Sequence, residues 1–378
     1  MIASGPHNDD DSMTRSHDDT KGGQSVHPLL APLQALHRRI RDEVVASTER
    51  AAVETWSRVH ADDEGDTIYA IDKVAEDVLV DAIDRTIARA HGPVVLVAEG
   101  LAGGRLVLPR GASAADARWT IIVDPIDGTR GLMYQKRPAW ILTGVASHQP
   151  GPPGSNPTAP GPTRPNPAEP LLSHIELALQ TEIPLVKQHL CDQLWAVAGQ
   201  GADGVRVNRI TGTTQPLALR PSRSTTLAHG FATVARFFPG MRAELAGLDD
   251  EIAATLLGPP VQGKAQLFED QYISSGGQLY ELVIGHDRFI ADLRSIARPV
   301  GKRQSSIVNS LCCHPYDLCT ELIARESGVV VTDEHGAPLA APLDVETDVS
   351  WVGYANPELR HTVEPVLQAA LRARGWLL

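Results

Sequence analysis

From Pro28 onward, apolar positions recur at intervals of three and four: Leu30, Leu33, Leu36, Ile40, Val44, Val45 and Ala52. Residues so spaced share one face of a helix, so 28–60 reads as an amphipathic helix interrupted at most once. Val74, Val78, Leu79, Ala82, Ile83 and Ile87 form a second such face and predict a helix over 72–90. The period then changes. Pro93 to Gly100 is an apolar run closed by the carboxylate of Glu99, Ile121 to Val123 is a β-branched run, and Trp140 to Ala146 is a third. Each reads as a buried strand. Residues 171–222 alternate and turn as a meander, Glu244 to Leu257 reads as a helix, and Tyr272 to Asp287 reads as a strand end, a Gly-rich turn and a helix. His314 to Asp333 reads as a helix that starts near Asp317, ends at Gly328 and is followed by a strand.

Two stretches carry neither period. Residues 1–27 are polar and cannot bury enough surface to offset the entropy of ordering, so they read as a disordered tail, with His7, His17 and His27 solvated. Residues 149–170 are Pro or Gly at much of their length and read as a mobile surface insertion. Excluding these, 28–222 and 223–378 are expected to form two packed halves, which 378 residues suffice to build around a sizeable core.

Composition narrows the classes. An apolar content of 42% and a charged content of 21% are those of a soluble globular chain. A net charge of −12 argues against nucleic acid as a partner, which needs a basic footprint. No apolar run approaches a membrane span, and the N-terminus has no apolar core of a signal peptide, so a cytoplasmic protein with no membrane partner is expected. Cys191, Cys312, Cys313 and Cys319 lack a CxxC spacing and read as free thiols. Gly199-Gln-Gly201-Ala-Asp-Gly204 has the formal spacing of a dinucleotide fingerprint, but strand and turn follow it where a helix is required. It reads as a hairpin.

The chemistry concentrates in Asp124-Pro125-Ile126-Asp127-Gly128-Thr129. Pro125 cannot donate to a ladder and biases Asp124 out of the helical region, so the strand is expected to end there. Two carboxylates on the turn invite a hard divalent cation. Backbone N–H groups at Gly128-Thr129, where a short helix begins, invite an anion. A metal site beside a phosphate site is what metal-assisted phosphate hydrolysis requires.

This string resembles the inositol monophosphatase family, within the lithium-sensitive, magnesium-dependent phosphatase superfamily. Other residues follow in family order. Asp66 and Asp72 match an Asp-x-x-Thr-x-x-Asp segment, with Tyr69 in place of the Thr. Of these, Asp72 reads as a helix N-cap, worth about 1 kcal/mol, and Asp66 as the site residue. Glu99 matches the first Glu of the family's Gly-Glu-Glu, with Gly100 in place of the second. Tyr316-Asp317 matches a Trp-Asp pair at a helix start.

The resemblance implies an α/β layered sandwich, αβαβα, of the inositol monophosphatase and fructose-1,6-bisphosphatase type, and a homodimer. It also implies hydrolysis of a small-molecule phosphomonoester by water, with two or three Mg²⁺ ions held by Glu99, Asp124, the carbonyl of Ile126, Asp127 and Asp317. Thr129, oriented by Asp66, would position the water, and Gly128 and Thr129 would bind the phosphoryl oxygens. Ser310 stands where inositol-specific members carry a Glu, and Arg298, Lys302 and Arg303 form a local basic cluster that offers to receive a substrate's anionic end. Inositol phosphate, histidinol phosphate, sugar bisphosphate and 3′(2′),5′-bisphosphate nucleotide all stand as substrates, beside a catalytically inert, metal-binding reading.

Overall fold

The computed structural model describes residues 26–50, 59–63, 66–148, 169–299 and 311–377, with the backbone alone at 59–63, 66–71 and 74. Residues 1–25 of the expected tail, 149–168 of the expected insertion, and Lys302, Arg303 and Ser310 lie outside the described residues.

Helix α1 (Leu30–Arg50) buries Leu33, Leu36, Ile40 and Val44 along the predicted stripe. It does not extend to His60, because Val59–Asp63 (β1) pairs antiparallel with Asp66–Tyr69 (β2). Helix α2 (Ala70–Ala82) follows at once, passes through a π turn at Ile83–Ala88 and closes with Arg89–His91. His27, read as a solvated tail residue, is packed: its ring lies 3.4 Å from the Glu176 carboxylate, and its Nδ1 accepts from the backbone of Leu29.

The larger sheet holds β3 (Val94–Ala98), β4 (Arg105–Leu108), β5 (Trp119–Asp127), β6 (Ala139–Ser147), β7 (Ile175–Ile183), β8 (Leu190–Val197), β9 (Ala202–Asn208) and β10 (Thr214–Pro216). Its spatial order is β10-β9-β8-β7-β6-β5-β3-β4. Its neighbours pair antiparallel except β3 and β5, which are parallel, because β4 folds back along the other edge of β3 and leaves β5 to enter alongside. Both faces are covered. Leu96, Ile121, Val123, Ile141 and Leu177 pack with α1 and α2, whereas Val95, Val97, Ile122, Leu142 and Ala178 join the core on the opposite face. Burial on both faces is the reason these strands read as continuous apolar runs and not as alternations. His37 of α1 is fully buried between the hydroxyls of Thr181 and Thr143, at 2.9 and 2.8 Å. Burial lowers its pKa to about 3, so it stays neutral and ties the helix to the sheet.

The second sheet runs β11 (Phe231–Val234), β12 (Asp287–Asp292), β14 (Trp351–Tyr354), β13 (Val330–Thr332), with the first pair parallel and the others antiparallel. Helices α5 (Ser275–Ile284) and α6 (Glu321–Glu326) lie between the two sheets, while α4 (Arg242–Leu257) and α7 (Pro357–Ala373) pack outside the second. The layers are therefore α-β-α-β-α. The turn carrying Gly199 and Gly201 joins β8 to β9, Gly204 lies within β9, and the Gly199 and Gly201 N–H groups both donate to the Glu326 carboxylate at 2.8 Å. Among the described residues no helix is long and apolar enough to cross a membrane. All four cysteines are buried and free of disulfides.

Gly144 of β6 shows how closely the layers meet. A Cβ there would lie 2.6 Å from Ile175 Cδ1 and 2.8 Å from the Cys319 carbonyl oxygen, which belongs to the segment carrying Asp317. Gly144→Ala is expected to lower stability by about 1–3 kcal/mol, the usual range for overpacking, read as a lower urea midpoint. An unchanged midpoint would mean that this segment is free to move off the sheet.

Candidate active site

Strand β5 does not stop at Asp124 as Pro125 suggested; it runs to Asp127. Asp124 faces Leu142 and Asp127 faces Trp140, so three steps on β5 span two on β6. Pro125 sits in this bulge, where no ladder hydrogen bond is lost. On a regular strand, residues three apart point to opposite faces. The extra residue resets the alternation, and Asp124 and Asp127 line the same cleft. The Ile126 N–H donates to Asp124 Oδ1 at 2.9 Å, and Gly128 leaves the strand in the left-handed region (φ 91) to start the short helix α3 (Thr129–Met133).

The second half supplies what Asp127 needs. Ser274 Oγ donates to its carboxylate at 2.8 Å and the Gly276 N–H at 2.6 Å. A side chain at 276 would put a Cβ 2.9 Å from Asp127 Oδ2 and 2.5 Å from Leu142, so glycine is required there. Asp317 stands on a 3-10 turn (Pro315–Leu318), where its carboxylate accepts from the His314 N–H at 2.7 Å. One oxygen from each of Asp124, Asp127 and Asp317 falls within 4.8 Å of the others.

Asp124 and Asp127 are each only 6% exposed. Burial, followed by the charges of Asp127, Asp317 and Glu99, pushes the Asp124 pKa well above the carboxylate range. Burial also raises Asp127, to about 6, with the Ser274 hydroxyl and the Gly276 and Ser275 N–H groups working against it. Among the causes that move Asp124, the Ile126 N–H works the other way and favours its ionised form. An all-oxygen set of clustered carboxylates suits a hard divalent ion.

Glu99, Asp124, Ile126, Asp127, Gly128, Thr129 and Asp317 are thus brought to one cleft of about 450 Å³. Thr129 Oγ1 lies 2.9 Å from Asp72 Oδ1 and 2.8 Å from the Ile126 carbonyl oxygen, so Asp72 is its carboxylate partner among the described side chains. The helix starts at Ala70, which places Asp72 inside the first turn instead of at the cap. Asp66 lies in β2, and its side chain is outside the described residues. Arg298 is not among the residues lining the cleft; its guanidinium donates to the carbonyls of Ser295 and Ala297 at 3.0 and 2.7 Å.

Sequence reasoning missed Asp72, Glu76 and Ser274 in the lining. Asp72 and Glu76 are four apart on α2, a spacing that puts both on one helical face and was the available signal. Glu76 reaches Gly100: a Cβ at 100 would lie 2.5 Å from Glu76 Oε2, so a larger residue there would displace the end of that side chain.

The layered fold is shared with solved phosphatases of the inositol monophosphatase and fructose-1,6-bisphosphatase type. Residues 30–148 match the model of the inositol monophosphatase family, and the chain has that family's phosphatase fold. The extragenic suppressor protein suhB of Bartonella henselae superposes with a TM-score of 0.57 at 14% identity, over 90% of this chain and 99% of that one. Leishmania major fructose-1,6-bisphosphatase gives 0.59 at 12% identity, over 92% and 94%, and Thermotoga maritima IMPase gives 0.53 at 15%, over 92% and 100%. At these identities the likeness is one of fold. No curated protein sequence matches the chain. The resemblance drawn from the Asp-Pro-Ile-Asp-Gly-Thr string and the αβαβα sandwich expected from it are both borne out.

The raised Asp127 pKa has a measurable sign. Folded protein holds a proton that the unfolded chain has released between the ordinary value of 3.8 and about 6. This contribution to stability is present below that window and is lost as pH rises through it. Metal-free wild type is expected to lose more stability between pH 4 and pH 7 than Asp127→Asn, in thermal melts. Equal losses would mean that Asp127 titrates normally.

Proposed function

We propose that the chain is a Mg²⁺-dependent phosphomonoesterase that hydrolyses a small phosphorylated metabolite with water as the nucleophile. The observation that carries this reading is the trio Asp124, Asp127 and Asp317, with the first two buried and the third half-buried, gathered in the cleft that also holds Thr129. With Glu99 and the Ile126 carbonyl, these residues would hold the ions. When bound there, Mg²⁺ supplies acidification of water and stabilisation of the leaving oxygen.

The chain's own groups do the orienting. In this reading the Thr129 hydroxyl, which has both Asp72 Oδ1 and the Ile126 carbonyl oxygen within donating distance, directs its one proton to Asp72 and leaves its oxygen lone pairs to accept a proton from the attacking water. The Thr129–Asp72 pair is therefore a positioning and proton-accepting relay. Backbone N–H groups of Gly128 and Thr129 are assigned to the phosphoryl oxygens, whose charge must be balanced through the transfer. The catalytically inert reading has less support, since a carboxylate cluster of this kind raises the energy of the fold and a purely structural protein gains nothing from it.

Phosphate release from inositol 1-phosphate, histidinol phosphate, fructose 1,6-bisphosphate and adenosine 3′,5′-bisphosphate, with and without Mg²⁺, tests the proposal. Release that requires Mg²⁺ and falls about 100-fold or more in Asp124→Asn is expected, since such a loss corresponds to the several kcal/mol of charge stabilisation a bound ion supplies. Mg²⁺-independent release, or an active Asp124→Asn, would remove the metal from the reading. Thr129→Ala and Asp72→Asn should each lower kcat by about 10²- to 10⁴-fold, the range of general base catalysis, with the double variant no worse than either. Additive losses would separate the two residues.

A further inference from the structure

The cleft lining is of two kinds. Beside the carboxylates stand Phe237, Phe238, Pro239, Ile273 and Leu311. Ile273 and Leu311 are 39% and 37% exposed, large apolar side chains that the fold itself does not cover. Apolar groups gathered in a concavity next to reactive groups mark where a ligand's apolar part is desolvated.

The phenyl pair is held in place. Phe237 and Phe238 meet edge-on, with centroids 4.9 Å apart at 83°. The Arg294 guanidinium lies over both, 4.4 Å from one centroid and 5.1 Å from the other. Arg294 is 5% exposed, and its donors have partners. Its Nε and Nη2 bind the Asp292 carboxylate at 2.8 and 2.5 Å, and Nη1 binds the Leu311 carbonyl at 2.5 Å. A cation so neutralised props the rings and holds the Leu311 backbone, and it is not disposed to receive a second phosphate. The other cation in the described lining, Arg130, sits in α3 next to Thr129, beside the carboxylates.

We propose that the alcohol half of the substrate is a flat apolar group, an aryl or heteroaryl alcohol, packed against Phe237 and Phe238. The inference rests on the phosphomonoesterase reading above. Hydrolysis then breaks the P–O bond with addition of water and gives the aromatic alcohol and inorganic phosphate. Ring against ring at this site gains apolar burial and quadrupole attraction. A polyol would set its hydroxyls against hydrocarbon, where they find no partners.

The test uses the full-length protein with Mg²⁺. The kcat/KM for benzyl phosphate is expected to exceed that for inositol 1-phosphate by about tenfold or more, and the Phe237→Ala/Phe238→Ala variant to remove that preference. A preference for inositol 1-phosphate, or equal losses on both substrates in the variant, overturns the inference. Binding provides a readout that needs neither turnover nor a variant. By calorimetry, benzylphosphonate should bind wild type about tenfold more tightly than methylphosphonate. Equal affinities, or no binding of either, also overturn it. Tight benzylphosphonate binding without turnover of any ester would sink the phosphatase reading and leave the aromatic subsite standing.

Discussion

Asp127 is a buried carboxylate whose hydrogen-bond donors come from a different sheet's helix, and it stands beside two more carboxylates. Desolvation works against Asp127, and its own charge works against Asp124, while the Ser274 hydroxyl and the Gly276 N–H hold Asp127 in place. The surrounding structure is arranged to make the approach possible. The bulge in β5 turns two acids to one side. Gly276 brings the start of α5 to within hydrogen-bond distance of Asp127, and Gly144 lets the Asp317 segment lie flat on β6. Local strain and unfavourable charge at a site, sustained by good packing around it, are a sign of selection for chemistry over stability.

The two sheets divide the labour. The larger one, covered on both faces, is the base that carries Glu99 just after β3 and Asp124 and Asp127 on β5. The second sheet and its helices contribute the groups that orient them, together with the aromatic wall propped by Arg294. Helix α2 adds Asp72 from outside either sheet. No single element holds the complete constellation, so the cleft is a property of the docked layers.

Much of this was legible in the chain. Runs buried on both faces announce themselves as unbroken apolar stretches, which is why β3, β5 and β6 were recognisable. The Asp124–Thr129 string was legible because its chemistry is contiguous. Other features depend on partners remote in sequence. Pro125 reads as a strand breaker unless one knows that β6 runs opposite with a two-residue step. Asp72 was read as a cap because the helix start was placed two residues late, and capping logic looks only at neighbours. The parallel pairing of β3 with β5 follows from where β4 folds, which periodicity does not encode. The contact of Arg294 with Phe237 joins residues from different elements of the second half, and each alone is an ordinary residue.

Asp127 and the Ser274 that steadies it are separated by 147 positions in the chain. During synthesis from the N-terminus, the large sheet can form while those donors, and the third acid Asp317, have yet to leave the ribosome. The nascent half therefore carries only part of the charge that the finished cleft must contain. The third acid joins the other two only after the strands that carry them can already be in place.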